Sequence, residues 1–387
     1  MANIGAATAI WVAAFASASC SSTYNPPGVT GTGGAAQVGA AGSVGHGGGG
    51  ASGGRGAAGA GGSGTVIVQP DPGYLWYAGV GLNAFTQAQT SASTDIGPYV
   101  SVSPNPSPGT FHDLVFDQSG RAWTIPTSGN QILRVPAAGF GAGANPAPDL
   151  VITSPALASP QALAFDPAGN LWVVNFAGAG VGIANIVRFD APGAWSGSMT
   201  ASPTVTIAPA TDPTSMGRFA EGTAIAFDSA GNLWFASVSC VLRIDNPGSL
   251  SGAVTAAPSV TISTGEAYSS IAFDAQGALW ITGTLNGYFA LRINGPSALT
   301  GVLQPTPAAR VALPTANVSF PGGMAFDMDG ALWVVTSSRI VKLASPGALV
   351  GQVTPTPAVQ LGIPVSFAPG LASHLVFRPQ PTGLPIY

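Results

Sequence analysis

Along most of the chain the apolar positions fall in short blocks, each closed by a turn signal, rather than at the three-to-four-residue spacing of helices. Five of these blocks repeat one pattern: LVFDQSGRAWTI (114–125), LAFDPAGNLWVV (163–174), IAFDSAGNLWFA (225–236), IAFDAQGALWIT (271–282) and MAFDMDGALWVV (324–335). A degenerate sixth, LVFRPQPTGLPIY, runs to Tyr387. In each of the five an apolar run ends in Asp, a Gly follows three residues later, and a second apolar run carries Trp123, Trp172, Trp234, Trp280 or Trp333. Apolar, turn, apolar predicts a β-hairpin in which Asp caps the turn and Gly (120, 169, 231, 277 and 330) takes the left-handed backbone position.

A third strand is predicted after each hairpin, at 132–135, 186–189, 241–244, 290–293 and 340–343, always with Arg or Lys third in line. The regularity of that cation predicts a structural role, near the repeated Asp, rather than an anion-binding ring. A fourth strand follows a Pro/Gly/Ala connection, as at 203–207 and 258–262. The repeated phenylalanines, Phe116, Phe165, Phe227, Phe273, Phe326 and Phe377, are 49, 62, 46, 53 and 51 residues apart. Four strands per unit of about fifty residues is the signature of a β-propeller blade, and one large ring per blade suits sheets packed face to face around an axis.

Residues 66–103 read as one more blade, with strands at Val66–Val68, Tyr74–Tyr77, Leu82–Phe85 and Tyr99–Val102. The predicted fold class is therefore all-β, a propeller of four-stranded blades over residues 65–387. Six blades are expected and seven is the alternative. The terminal LVFR strand is then either surplus or closes the ring on the N-terminal blade, which removes an exposed sheet edge.

The units AFDSAGNLWF (226–235) and AFDPAGNLWV (164–173) look like NHL-type propeller repeats, and they resemble those of virginiamycin B lyase and the gluconolactonase-like propellers over about residues 66–387. For the lyase group the resemblance implies a His acting with carboxylates and magnesium. For the lactonase group it implies a divalent metal on Glu, Asn and Asp around the channel.

Composition bounds the rest. Only 7% of the 387 residues are charged and the net charge is -4, with no basic run, so nucleic acid and anionic lipid surfaces are not expected partners. The N-terminus, residues 1–20, has an apolar stretch from Ala9 to Phe15 and ends in Ala18-Ser19-Cys20. This reads as an export signal too short to span a bilayer. Its ending resembles the lipobox of bacterial lipoproteins, which makes Cys20 the lipidation candidate and the lipid anchor the one expected membrane contact; plain secretion is the alternative. Residues 21–64 are mostly Gly, Ala, Ser and Thr and are expected to form a disordered tether. The other cysteine, Cys240, lies among apolar and small residues and reads as a buried small hydrophobe rather than a nucleophile. No disulfide framework is expected in the mature chain.

Chemistry is expected in the segments leading into each Phe-Asp strand, since propellers bind ligands at the mouth of their channel. Both histidines outside the tether, His112 and His374, and both glutamates of the chain, Glu221 and Glu266, fall in those six short segments. With Asp113, Gln161 and Tyr268 they make the candidate ligand-binding set. His112, Glu221, Glu266 and His374 are the candidate ligands of a divalent metal, Ca, Mg or Zn. The first functional reading is a monomeric binding or scaffold propeller that takes a protein, glycan or small molecule at its channel face. The second is a metal-dependent enzyme of the lactonase or lyase kind. The run Asp327-Met-Asp329-Gly330 begins like a calcium loop but lacks the later Glu, and reads as another hairpin turn.

Overall fold

The computed structural model describes residues 74–378 except 96, 99, 105–108, 141–143, 176–184, 210–221, 238–239, 264–266, 285–286, 314–321, 337–338 and 364–374. The expected export signal, the tether, the Val66–Val68 strand and the candidates Cys20, Glu221, Glu266 and His374 lie outside the described residues.

Six separate sheets make six blades. Blade 1 is ordered Leu375–Arg378, Tyr74–Gly79, Gly81–Phe85, Val100–Val102, so its innermost strand comes from the C-terminal LVFR segment. Leu375–Arg378 pairs antiparallel with Tyr74–Gly79, with Phe377 opposite Leu75, and this joins the two ends of the ring. Blades 2 to 5 begin on the inner strands Phe111–Phe116, Pro160–Phe165, Gly222–Phe227 and Ala267–Phe273, and blade 6 on Met324–Phe326. The inner strands contact one another in cyclic order.

The repeat exists because each of its residues serves a contact between blades. Six apolar clusters hold the core, one in each gap between neighbouring blades. Each Trp is buried and meets, edge to face, the Phe of the next blade's inner strand. Trp123 meets Phe165 and Trp333 meets Phe377, with ring centroids 5.5 and 6.2 Å apart. The indole N–H of the Trp donates to the repeated Asp of its own hairpin at 2.9 Å in blades 2 to 6. The other oxygen of that Asp accepts two backbone N–H groups of the turn, as Asp228 does from Ala230 and Asn232. The turn glycines have φ between 70° and 81°, as the hairpin prediction requires. Asp327 and Asp329 belong to the same turn, with Asp327 accepting from Asp329 N–H at 3.0 Å.

The repeated cation has the structural role expected of it, but four of the five do not pair with the repeated Asp. Arg134, Arg188, Arg243 and Arg292 stack over the Trp of their own blade, 5.4 to 5.9 Å from the ring centroid, and reach carbonyls of the following repeat. Arg188, for example, donates to Pro247 and Gly248. Only Lys342 pairs with the repeated Asp of its own hairpin, Asp327, at 2.9 Å. A guanidinium is long and forked enough to span the gap between blades, whereas the shorter ammonium stops at the hairpin.

A fifth strand is the feature the sequence pattern did not predict. In blades 2 to 5 the outermost strand is contributed by the next repeat and runs parallel to its neighbour: Gly197–Thr200, Gly252–Ala256, Gly301–Leu303 and Gly351–Val353. Each follows a short 3-10 turn opened by Pro192, Pro247, Pro296 or Pro346. The handover continues in the same sense past the ends. Thr94 of blade 1 bridges Leu361 at the edge of blade 6, and Ala144 of blade 2 accepts from Ser103 N–H of blade 1 at 3.1 Å.

Cys240 is fully buried in the cluster between blades 3 and 4, as a small hydrophobe would be.

Candidate functional site

The lead-in to the inner strand has the same irregularity in four blades. Pairing with the second strand slips between Phe111 and Asp113, between Pro160 and Ala162, between Gly222 and Ala224, and between Tyr268 and Ser270. A bulge leaves one residue outside the ladder and re-aims its side chain. The residues so placed are His112, Gln161, Thr223 and Ser269. The same register slip thus falls on a different residue in each of these four blades, half-buried at His112 and Gln161 and buried at Ser269.

His112 and Gln161 are half-buried at matched positions of blades 2 and 3. Burial pulls the His112 imidazole below its usual 6.5, and the Asp113 charge opposes that shift. The ring is therefore neutral at pH 7, with one nitrogen to donate and one to accept. The Gln161 amide donates to Ser159 O at 3.4 Å. Ser159 holds left-handed backbone, φ 49°, with its N–H on Asn130 Oδ1 at 3.0 Å. The other described non-glycine residues of positive φ, Ala191, Asn246 and Ser345, all precede the Pro turn of the handover. Strain at Ser159 does not repeat from blade to blade, and it adjoins the Gln161 bulge.

Two other candidates are built into the frame. Asp113 is wholly buried, and its carboxylate accepts Leu114 N–H at 2.7 Å and Leu163 N–H at 2.6 Å. Its oxygens are committed to backbone, so it is not available to a ligand. Tyr268 is 2% exposed and packs in the cluster between blades 4 and 5. Its position matches Phe111 and Pro160, one residue before the bulge, where side chains turn into the core. Among the described residues no three His, Cys, Asp or Glu side chains come together to hold a metal ion. Of the four metal candidates only His112 is described.

No family model and no curated protein matches this chain. Solved structures do. A protein of unknown function from Bacteroides caccae is similar over 79% of this chain and 99% of its own, at 13% identity and a TM-score of 0.51. The likeness is one of fold. A catalytically inactive virginiamycin B lyase from Staphylococcus aureus with quinupristin is similar over 61% of this chain and 67% of its own, at 18% identity and a TM-score of 0.40. PorZ, a surface component of the type-IX secretion system of Porphyromonas gingivalis, is similar over 68% of this chain and 36% of its own, at 16% identity and a TM-score of 0.41.

Proposed function

We propose that this chain is an exported, tethered binding propeller that takes a polar ligand, a protein, glycan or small molecule, at the bulged lead-ins of its inner strands. The observation that carries the reading is the recurrence of one bulge in four blades with a different residue at each, His112, Gln161, Thr223 and Ser269. Residues that serve the frame repeat; these do not. A neutral imidazole and a primary amide at matched positions of neighbouring blades offer both donors and acceptors, which suits hydroxyl and amide groups better than a single charge. Glu221, Glu266 and His374 precede their own inner strands in sequence and belong to the same proposed face. Residues 1–64 supply the export signal and tether in this reading.

The test is a glycan and peptide array probed with the full chain, followed by histidine-detected NMR, in which His112 is one of three histidines. A ligand of this face shifts the His112 resonance and loses affinity in a His112→Ala, Gln161→Ala variant. Ligands that bind that variant unchanged place recognition elsewhere. Broadening of the His112 signal by manganese, with loss of the effect in Glu221→Ala, would favour the metal-dependent reading instead.

A further inference from the structure

Blade 5 departs from the repeat at two places that face each other. In blades 3 and 4 the Nε and Nη2 edge of the arginine is filled by the carboxylate two residues on: Arg188 by Asp190 at 2.6 and 3.3 Å, Arg243 by Asp245 at 2.5 and 3.3 Å. In blade 2 Asp149 fills Nε of Arg134 at 2.7 Å. In blade 5 that position is Asn294, and Arg292 Nε is buried without a partner. Arg292 is 7% exposed and is held by Nη1 donating to the carbonyls of Pro346 and Gly347, over the Trp280 ring.

The second departure is at the hairpin. In blades 3 and 4 an asparagine four residues after the repeated Asp donates its amide to the Oδ2 of that Asp, Asn170 at 2.9 Å and Asn232 at 3.0 Å. Arg121 and Lys342 do the same in blades 2 and 6. In blade 5 the residue is Ala278, and Asp274 Oδ2 takes only the Trp280 indole at 2.9 Å. Ala278, shorter than the asparagine it replaces, and Asn294, which lacks the carboxylate charge, border a cleft of about 420 Å³ lined also by Asp274, Gln276, Arg292 and Gly347. It lies at the Asp-Gly hairpin end of the blade, opposite the bulge.

The groups missing from this cleft define what would fill it. One is a carboxylate for the fork of Arg292; the other is an N–H donor for Asp274 Oδ2. We propose that the blade 5 cleft binds an α-amino carboxylate, with the carboxylate on Arg292 Nε and Nη2 and the nitrogen on Asp274. A planar fork takes a carboxylate bidentately, and a buried guanidinium edge left empty is a standing cost that such a ligand removes. The cleft is at the small end of ligand pockets and suits a single residue. Its source is either a free amino acid or the C-terminal residue of a peptide.

Saturation-transfer NMR on the full chain with L-alanine, N-acetyl-L-alanine and L-alaninamide tests this. Alaninamide lacks the carboxylate and is expected not to bind. Binding of alanine but not of N-acetylalanine identifies a free amino acid, and the reverse identifies a peptide terminus. Asn294→Asp restores the carboxylate of blades 3 and 4 and should weaken binding at least about tenfold, the factor expected for losing a charge-assisted pair, without loss of fold. Equal binding of alaninamide, no binding by either carboxylate, or unchanged affinity in Asn294→Asp overturns the proposal. A ligand assigned to the bulged face is unaffected by Asn294→Asp, so the two sites fail independently.

Discussion

Asp113 accepts the backbone N–H of Leu163 at 2.6 Å and so ties the inner strand of blade 2 to that of blade 3. Its other oxygen accepts Leu114 N–H at 2.7 Å. Asp113→Ala leaves two buried N–H groups without these acceptors and should destabilise the protein by about 3 kcal/mol, since hydrogen bonds to a charged group are the stronger kind. Chemical denaturation followed by tryptophan fluorescence measures it. A change within about 0.5 kcal/mol, the range of ordinary surface substitutions, would mean the carboxylate is dispensable to the frame.

The Asp–Trp pairs make a second prediction. In Asp228→Asn the oxygen on the turn N–H groups can be kept only by turning the amide NH2 toward the Trp234 indole, donor against donor. The expected cost is about 2 kcal/mol, with a shift in the fluorescence of Trp234. Unchanged stability would show that the indole needs no acceptor there.

Acid should weaken the seams. For Asp190, burial raises the carboxyl pKa, but hydrogen bonds from Thr204 and Arg188 and the Arg188 charge outweigh it and hold the group below 3.8. For Asp245, burial is likewise outweighed, by hydrogen bonds from Arg243 and Ser259 and by the Arg243 charge. A carboxyl depressed in the folded state contributes stability that is present above its unfolded value and is lost as pH falls through the folded one. The denaturation midpoint should therefore drop as pH goes below about 3.8, and drop less in an Asp190→Asn, Asp245→Asn variant. Identical acid profiles for the two proteins would remove these pairs from the account.

Ring closure can be tested by cutting it. Removal of residues 375–387 deletes the inner strand of blade 1 and with it Leu375, Val376 and Phe377 from the core. The cut also exposes the edge of Tyr74–Gly79, an invitation to intermolecular pairing. The shortened chain is expected to aggregate or to populate oligomers by size-exclusion chromatography. A stable monomer with the parent's Tm would mean that the ring does not depend on this strand.

Much of the fold could be read from the repeats. Phe, Asp, Gly and Trp recur because each closes the same gap or turn, and the C-terminal LVFR was recognisable as a truncated copy with a place to go. The handover strands were not, because segments such as Gly252–Ala256 are short and mostly exposed, with only Val254 and Ala256 half-buried against the core. A signal was present in the recurring Pro turn followed by Gly at 197, 252, 301 and 351, all with positive φ. The candidate site was legible by region but not by residue. Sequence placed polar groups before the inner strands, yet only the bulge register separates His112 and Gln161, which it re-aims, from Asp113 and Tyr268, which serve the frame. The cleft of blade 5 escaped notice because what marks it is what Ala278 and Asn294 lack.

The handover also sets how the number of blades can change over time. A recombination event that copies one whole Phe-to-Phe stretch carries its own outgoing strand back to the preceding copy and receives one from the copy behind it. Every seam is then complete after the insertion. A copy of less than a full period instead orphans both a donor strand and the arginine clasp that grips it. Lineages of this architecture should therefore gain and lose blades in whole units.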